Sequence, residues 1–153
     1  MSRTDRANLL IHTGKDAVFS ALTSSDALAA WLPPSGMRGR LERFDMREGG
    51  SFRLVLTYEN AADAPGKSSA DSDVTEVRIT QLDPGERVVQ EVDFESEDPA
   101  FQGTMQMEWK VLPVAEGTIV EVIARNVPAG IRARDHAAGL TSSLANLAAL
   151  LEP

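Results

Sequence analysis

The sequence predicts an α+β fold in which one antiparallel sheet packs against a single long C-terminal helix, and three observations predict it. From Ile131 to Leu151, the residues Leu140, Leu144, Leu147 and Leu151 recur four, three and four apart, one stripe of a 3.6-residue helix. From Ser51 to Glu59 and from Gly103 to Leu112, apolar and polar residues alternate with the period of a half-buried strand. Turn chemistry separates the strand-like segments: Gly49-Gly50, Asp83-Pro84-Gly85-Glu86 and Glu116-Gly117. A helix of about twenty residues is about 30 Å long, so it needs an apolar partner as wide as the domain, and the concave face of the sheet supplies one.

The elements follow in order. Asn8 to Thr13 reads as a first strand, with Leu9 and Ile11 on one face, and it ends at Gly14. Lys15 to Leu22 carries Val18, Phe19 and Leu22, and Ser24 to Leu32 carries Leu28, Trp31 and Leu32 behind an N-cap in Ser24 or Ser25. These are two short helices, and Pro33-Pro34 with Gly36 and Gly39 stops the second. Strands follow at Arg40 to Asp45 and Ser51 to Glu59, where Phe52, Leu54, Leu56 and Tyr58 share a face opposite Arg53, Val55 and Thr57. Asn60 to Asp73 is small and polar, with Pro65-Gly66 inside it, and is expected to be a mobile loop at one end of the sheet.

Val74 to Leu82 and Arg87 to Phe94 form a hairpin around the Pro84-Gly85 turn. After an acidic loop, Glu95 to Ala100, comes Gly103 to Leu112, in which Met105, Met107, Trp109 and Val111 oppose Thr104, Gln106, Glu108 and Lys110. Thr118 to Asn126 is the last strand, and Val127-Pro128-Ala129-Gly130 delivers the chain to the long helix, expected from Ile131. Gly139 inside that helix costs about 1 kcal/mol against alanine, which points to a close approach of a strand or ligand.

Composition bounds the function. At 153 residues the chain reads as one domain, 1–153, long enough to bury about 68–70% of its unfolded surface without staples. It has no cysteine, which excludes disulfides, thiolate metal sites and cysteine nucleophiles and fits a reducing compartment. Fifteen Lys and Arg against twenty-three Asp and Glu give a net charge of −8, so no nucleic-acid partner is expected. The opening MSRTDRANLL lacks the apolar core of a signal peptide and no run approaches a membrane span, so the reading is a soluble cytoplasmic protein. No G-x-S-x-G, Walker A or G-x-G-x-x-G motif occurs, and no cofactor is called for. His12 and His136 are too far apart in the chain to suggest a metal site, and the acidic loops lack the calcium-loop pattern.

The segments DAVFSALTSSDALAAWLPP, GGSFRLVLTY, LDPGERVVQEVDF, MQMEWKV, GTIVEV and GLTSSLANLAALLE together resemble the START-like superfamily, also called SRPBCC. Within it the chain is similar to the branch named after the activator of the heat-shock-ninety ATPase, over Asn8 to Leu151. The resemblance implies the helix-grip fold: a strongly bent antiparallel sheet wrapped around the C-terminal helix, with a cavity that the two short helices help close. It implies no single function, since the superfamily includes carriers, polyketide cyclases and chaperone activators.

The residues to test as cavity lining are Phe52, Leu54, Leu56 and Tyr58 on one strand, Met105, Met107 and Trp109 on another, Leu140 and Leu144 on the helix stripe, and Trp31 near an expected rim. The plainer reading of each is core packing. Tyr58 and Trp109 carry polar atoms that a ligand could satisfy. His136, on the edge of the stripe, could face the cavity as a hydrogen-bond donor or general base, or be an ordinary exposed or capping histidine.

Three functions follow. The favoured one is a binding module for a small apolar or amphipathic molecule, which should show a closed cavity of roughly a few hundred Å3 with mainly apolar walls. A cyclase- or hydrolase-like enzyme would need two acids or bases, drawn from His136, Tyr58 and Glu108, in one cavity, and Glu108 has the wrong strand parity. A chaperone-activating partner would show a filled interior and an exposed apolar patch. The eukaryotic activators carry an additional N-terminal domain for which this chain has no room, so a chaperone partner is not favoured. Monomer and homodimer are both left open.

Overall fold

A computed structural model describes residues 3–59 and 72–152. The chain runs β1 (Thr4–Ile11), α1 (Lys15–Thr23), α2 (Ser25–Trp31), β2 (Met37–Glu42), β3 (Ser51–Tyr58), β4 (Ser72–Asp83), β5 (Arg87–Phe94), a 3-10 turn at Pro99–Phe101, β6 (Met105–Val114), β7 (Gly117–Arg125) and α3 (Ala133–Leu151). The seven strands form one antiparallel sheet in the order β1-β7-β6-β5-β4-β3-β2, curled into a half-barrel. The helix-grip architecture expected from the sequence is the one observed. Most of the expected loop from Asn60 to Asp73 lies outside the described residues; Ser72 and Asp73 already belong to β4.

Strand parity puts the apolar residues inside. Trp109 pairs with Val88 on one side and Val122 on the other, Val111 with Val120, and Val77 with Phe52 and Val92, so one continuous inner face runs across the sheet. Against it α3 presents Leu140, Leu144 and Leu147, all buried, and the helix lies along β1 and α2. The β4–β5 turn has the geometry its sequence prescribes: Glu86 N–H donates to the Asp83 carbonyl, and Gly85 adopts φ +75°, which a side chain would resist. Gly117 starts β7 where a Cβ would sit 2.2 Å from the Ile11 carbonyl oxygen, so only glycine lets β1 and β7 begin their pairing.

Several boundaries differ from expectation. β1 begins four residues earlier, at Thr4, because Asp5 is held on the inner face by His136. β2 begins at Met37, directly after the Gly36 turn at φ +89°, and ends where Arg43 takes a positive φ. The long helix starts at Ala133: Ile131 is buried in the core, but its N–H closes a turn onto the Pro128 carbonyl. At Gly139 an added Cβ would meet Pro34 Cγ at 3.9 Å, ordinary contact, so no close approach requires glycine there.

The two short helices are tied to α3 by polar side chains. Ser24 caps α2, accepting from Ala27 N–H. At the other end the last carbonyls of α2 have no helical partner, and Pro33 brings no N–H to help. Ser143 on α3 donates to the Leu32 carbonyl at 2.6 Å, and Asn146 donates to the Pro33 carbonyl at 2.9 Å and to that of Trp31 at 3.4 Å. Ser142 accepts from Ser35 N–H. The tail of α2 is thus capped from a helix more than a hundred residues later in the chain.

Candidate functional site

The inner face of the sheet is the place to look, since the fold encloses it and the sequence-predicted lining belongs to it. The structure divides those residues into groups. Trp31, Trp109, Leu140 and Leu144 are buried in one apolar cluster, together with Leu22, Leu28 and Val120. Phe52, Leu54 and Met105 are buried in a second, with Val77, Ile79 and Val92, and Leu56 packs against it half-buried. Met107, half-buried, touches both. Tyr58 is half-buried at the end of the β3 row.

Trp31 is not at a rim. It is 0% exposed; its indole N–H donates to the Ala21 carbonyl on α1 at 2.8 Å, and its ring meets Trp109 edge-on, with centroids 5.3 Å apart at 81°. An aromatic pair in this geometry is a packing anchor.

His136 stands apart from these residues. Its Nδ1 lies 2.8 Å from the Asp5 carboxylate on β1, which also receives two hydrogen bonds from Arg3. Burial alone would raise the Asp5 carboxyl, but the His136 and Arg3 hydrogen bonds outweigh it and hold Asp5 below the usual aspartate value. His136 therefore fastens the start of α3 to β1.

Between α1, α2 and strands β5 and β6 lies a small void of about 20 Å3, lined by Leu22, Leu28, Trp31, Leu32, Val88, Gln90 and Trp109. That is room for about one water molecule, far short of the cavity expected from the sequence. Side chains that were expected to surround a ligand instead fill the interior. The larger space, about 660 Å3, is an open groove on the outside, between the α2–β2 connection and the C-terminal half of α3. Its walls include Pro33, Pro34, Met37, Asn146 and Leu150, and none of the eleven predicted residues.

The void has one unusual wall. Gln90 is 7% exposed on the inner face of β5, opposite Ile79 and Met107, and its side-chain amide makes no hydrogen bond among the described residues. The Trp109 indole N–H likewise has no partner among them. Two donors and an acceptor on Gln90 and one donor on Trp109 thus border a space otherwise walled by hydrocarbon. No acid or base lines the void: Glu108 faces outward, where it accepts from Arg87 at 3.3 Å and Arg125 at 3.1 Å. Among the described residues no group of three or more His, Asp or Glu is placed to hold a metal, and no helix is long and apolar enough to cross a membrane.

Gln90, Leu22, Leu28, Leu32 and Val88 were not singled out from sequence. The signal for Gln90 was present: in Arg87 to Phe94 the inward positions read Val88, Gln90, Val92, an apolar row with one polar interruption.

The family model for Activator of Hsp90 ATPase homolog 1-like proteins matches residues 12–152. Among solved structures, protein CV1439 from Chromobacterium violaceum is similar with a TM-score of 0.85 at 27% identity, covering 98% of this chain and 97% of its own. The AHSA1 protein of Silicibacter pomeroyi gives a TM-score of 0.78 at 18% identity, covering 97% of each chain. DynU16, from the dynemicin biosynthetic locus, gives 0.70 at 21% identity, over 97% of this chain and 47% of that one. No curated protein matches.

Proposed function

Since the chain belongs to the family of Activator of Hsp90 ATPase homolog 1-like proteins, whose name states no chemistry for this member, we propose from its own interior that it binds a small apolar or amphipathic molecule on the inner face of the sheet. The observation that carries this is Gln90: an inward amide, 7% exposed and without a partner among the described residues, set beside the Trp109 N–H at a small void. An unpaired buried amide costs about 1–3 kcal/mol, and a leucine there would pack without that cost. A ligand with a neutral oxygen or nitrogen satisfies both groups, while its hydrocarbon replaces apolar contacts. The likeness to DynU16, a protein of a biosynthetic locus, is in keeping with a small-molecule role.

A guest larger than water needs the void to widen. Leu32 is the half-buried member of the lining, and Met107, next to Gln90 across the ladder, is half-buried and unbranched, so both can repack. Affinity would come from apolar burial and orientation from Gln90 and Trp109.

To test this, the purified protein is incubated with cell extract, re-isolated and extracted with organic solvent, and its small molecules are identified by mass spectrometry. Val88→Leu, which adds a methylene to the void wall, serves as the filled control once near-ultraviolet circular dichroism confirms that it is folded. A compound retained by the wild type and depleted in the control is expected. Equal retention by both, or none by either, overturns the proposal.

A further inference from the structure

A further polar group on the same inner face has no partner among the described residues. Thr75, in the middle of β4, is 6% exposed, and its hydroxyl is fully buried without a hydrogen bond among the described residues. Other threonine hydroxyls find acceptors: Thr80 donates to the Val89 carbonyl, Thr118 to that of Thr13, and Thr104 to the Asp93 carboxylate. Thr75 is paired on both sides, with Leu54 on β3 and Phe94 on β5, so the sheet holds it in place and leaves its side chain pointing inward. Valine has nearly the same shape and would fill this position without burying an unsatisfied hydroxyl.

Thr75 and Gln90 are related by the ladder. Gln90 faces Ile79, four residues along β4 from Thr75, and Phe94 faces Thr75, four residues along β5 from Gln90. At about 3.3 Å per residue the two polar groups stand about 13 Å apart along the strands. The pair Val77 and Val92 lies between them on the same face. Beside each polar group is a large half-buried side chain, Met107 next to Gln90 and Phe94 next to Thr75. The inner face is thus polar, apolar, polar, with a large half-buried side chain at either end, Phe94 resting on the Phe101 ring with centroids 6.4 Å apart.

We propose that the ligand is elongated, with an uncharged polar group at each end and hydrocarbon between, one end on Gln90 and the other on Thr75. The ends are uncharged because an amide and a hydroxyl can hydrogen-bond a hydroxyl or carbonyl but cannot compensate a buried ion. This rests on the binding reading above and specifies its ligand class.

The probes are 1,10-decanediol and 1-decanol, titrated into the intact protein and followed by the fluorescence of Trp31 and Trp109, the two tryptophans of the chain. The wild type is expected to bind the diol roughly three- to tenfold more tightly than the monoalcohol, the worth of one neutral hydrogen bond. Thr75→Val should remove that preference and leave 1-decanol unchanged, and Thr75→Ser should restore it. In the absence of probe, Thr75→Val should melt at or above the wild-type temperature, since its hydroxyl makes no internal bond. A lower melting temperature would reveal an internal partner and overturn the proposal. Equal binding of the two probes by the wild type overturns it too, with the binding reading intact. Failure of the wild type to bind either probe removes the binding reading and this inference together.

Discussion

The two faces of the sheet treat polar atoms in opposite ways. On the outer face charged groups are matched in networks: Arg53 bridges Glu42 and Glu95, Asp93 accepts from Arg78 and Thr104, and Glu108 sits between Arg87 and Arg125. The hydrogen bonds that Arg53 donates to Glu95 and then to Glu42 push its guanidinium further toward the charged form, and the Arg78 hydrogen bond holds Asp93 below the usual aspartate value. On the inner face Gln90 and Thr75 are more deeply buried, and their side chains make no hydrogen bond among the described residues. Water could rescue an unmatched group outside, yet there the matching is thorough. Inside, where an unmatched group costs most, the Gln90 amide, the Trp109 N–H and the Thr75 hydroxyl remain without partners among the described residues. On the proposed reading, the difference separates the groups that keep the fold together from those offered to a ligand.

The sharpest way to break this contrast is to remove an inner residue that does serve the fold. Trp31→Ala should lose about 3–5 kcal/mol in urea unfolding, because it deletes a fully buried ring, its Trp109 contact and its bond to Ala21. A smaller loss, about 1–2 kcal/mol, is expected of Ser143→Ala, which leaves the Leu32 carbonyl of the α2 tail without its donor.

Next is Glu108→Gln, with an expected loss of about 1 kcal/mol at neutral pH, modest because both arginines are more than two-fifths exposed and screened by water. Burial would raise the Glu108 carboxyl, but the Arg125 and Arg87 hydrogen bonds prevail and hold it below the ordinary 4.5. A depressed carboxylate stabilises fully above its unfolded value and loses that contribution as pH falls through its folded value. The wild type should therefore lose stability below about pH 4.5 more steeply than Glu108→Gln, as thermal melts from pH 7 to pH 3 would record. The smallest effect carries the opposite sign: Gln90→Leu should raise stability by about 0.5–1 kcal/mol while abolishing retention of the extracted ligand. A loss of stability in that variant would show that the inner polar atoms are structural after all.

Much of the fold was legible because its strands are written plainly. β5 was bounded correctly, since a Pro-Gly turn precedes it and an acidic loop follows, and β3 follows from the alternation of Phe52, Leu54 and Leu56. The start of β1 was not legible: Thr4, Asp5 and Arg6 are polar on both faces, and what holds Asp5 inward is a histidine 131 residues away. The interior was legible only in outline. Periodicity tells which face a side chain takes, but not how completely neighbours fill the space, so Trp31 was expected at a rim and lies at 0% exposure. Gln90 and Thr75 were visible as polar letters at inward positions, yet their significance depends on having no partner, which only three dimensions reveal.

The capping of α2 by Ser143 and Asn146 also has a bearing on the order in which the molecule is built. During synthesis α2 emerges more than a hundred residues ahead of α3, which carries the groups that finish it. The first strand waits in the same way, because its partner β7 is the seventh in the chain. Closing such long loops is slow and yields no contact energy until the end arrives. A nascent chain lacking α3 would hold a half-formed sheet with its apolar face open to other proteins, so the fold of this domain closes only when α3 is available.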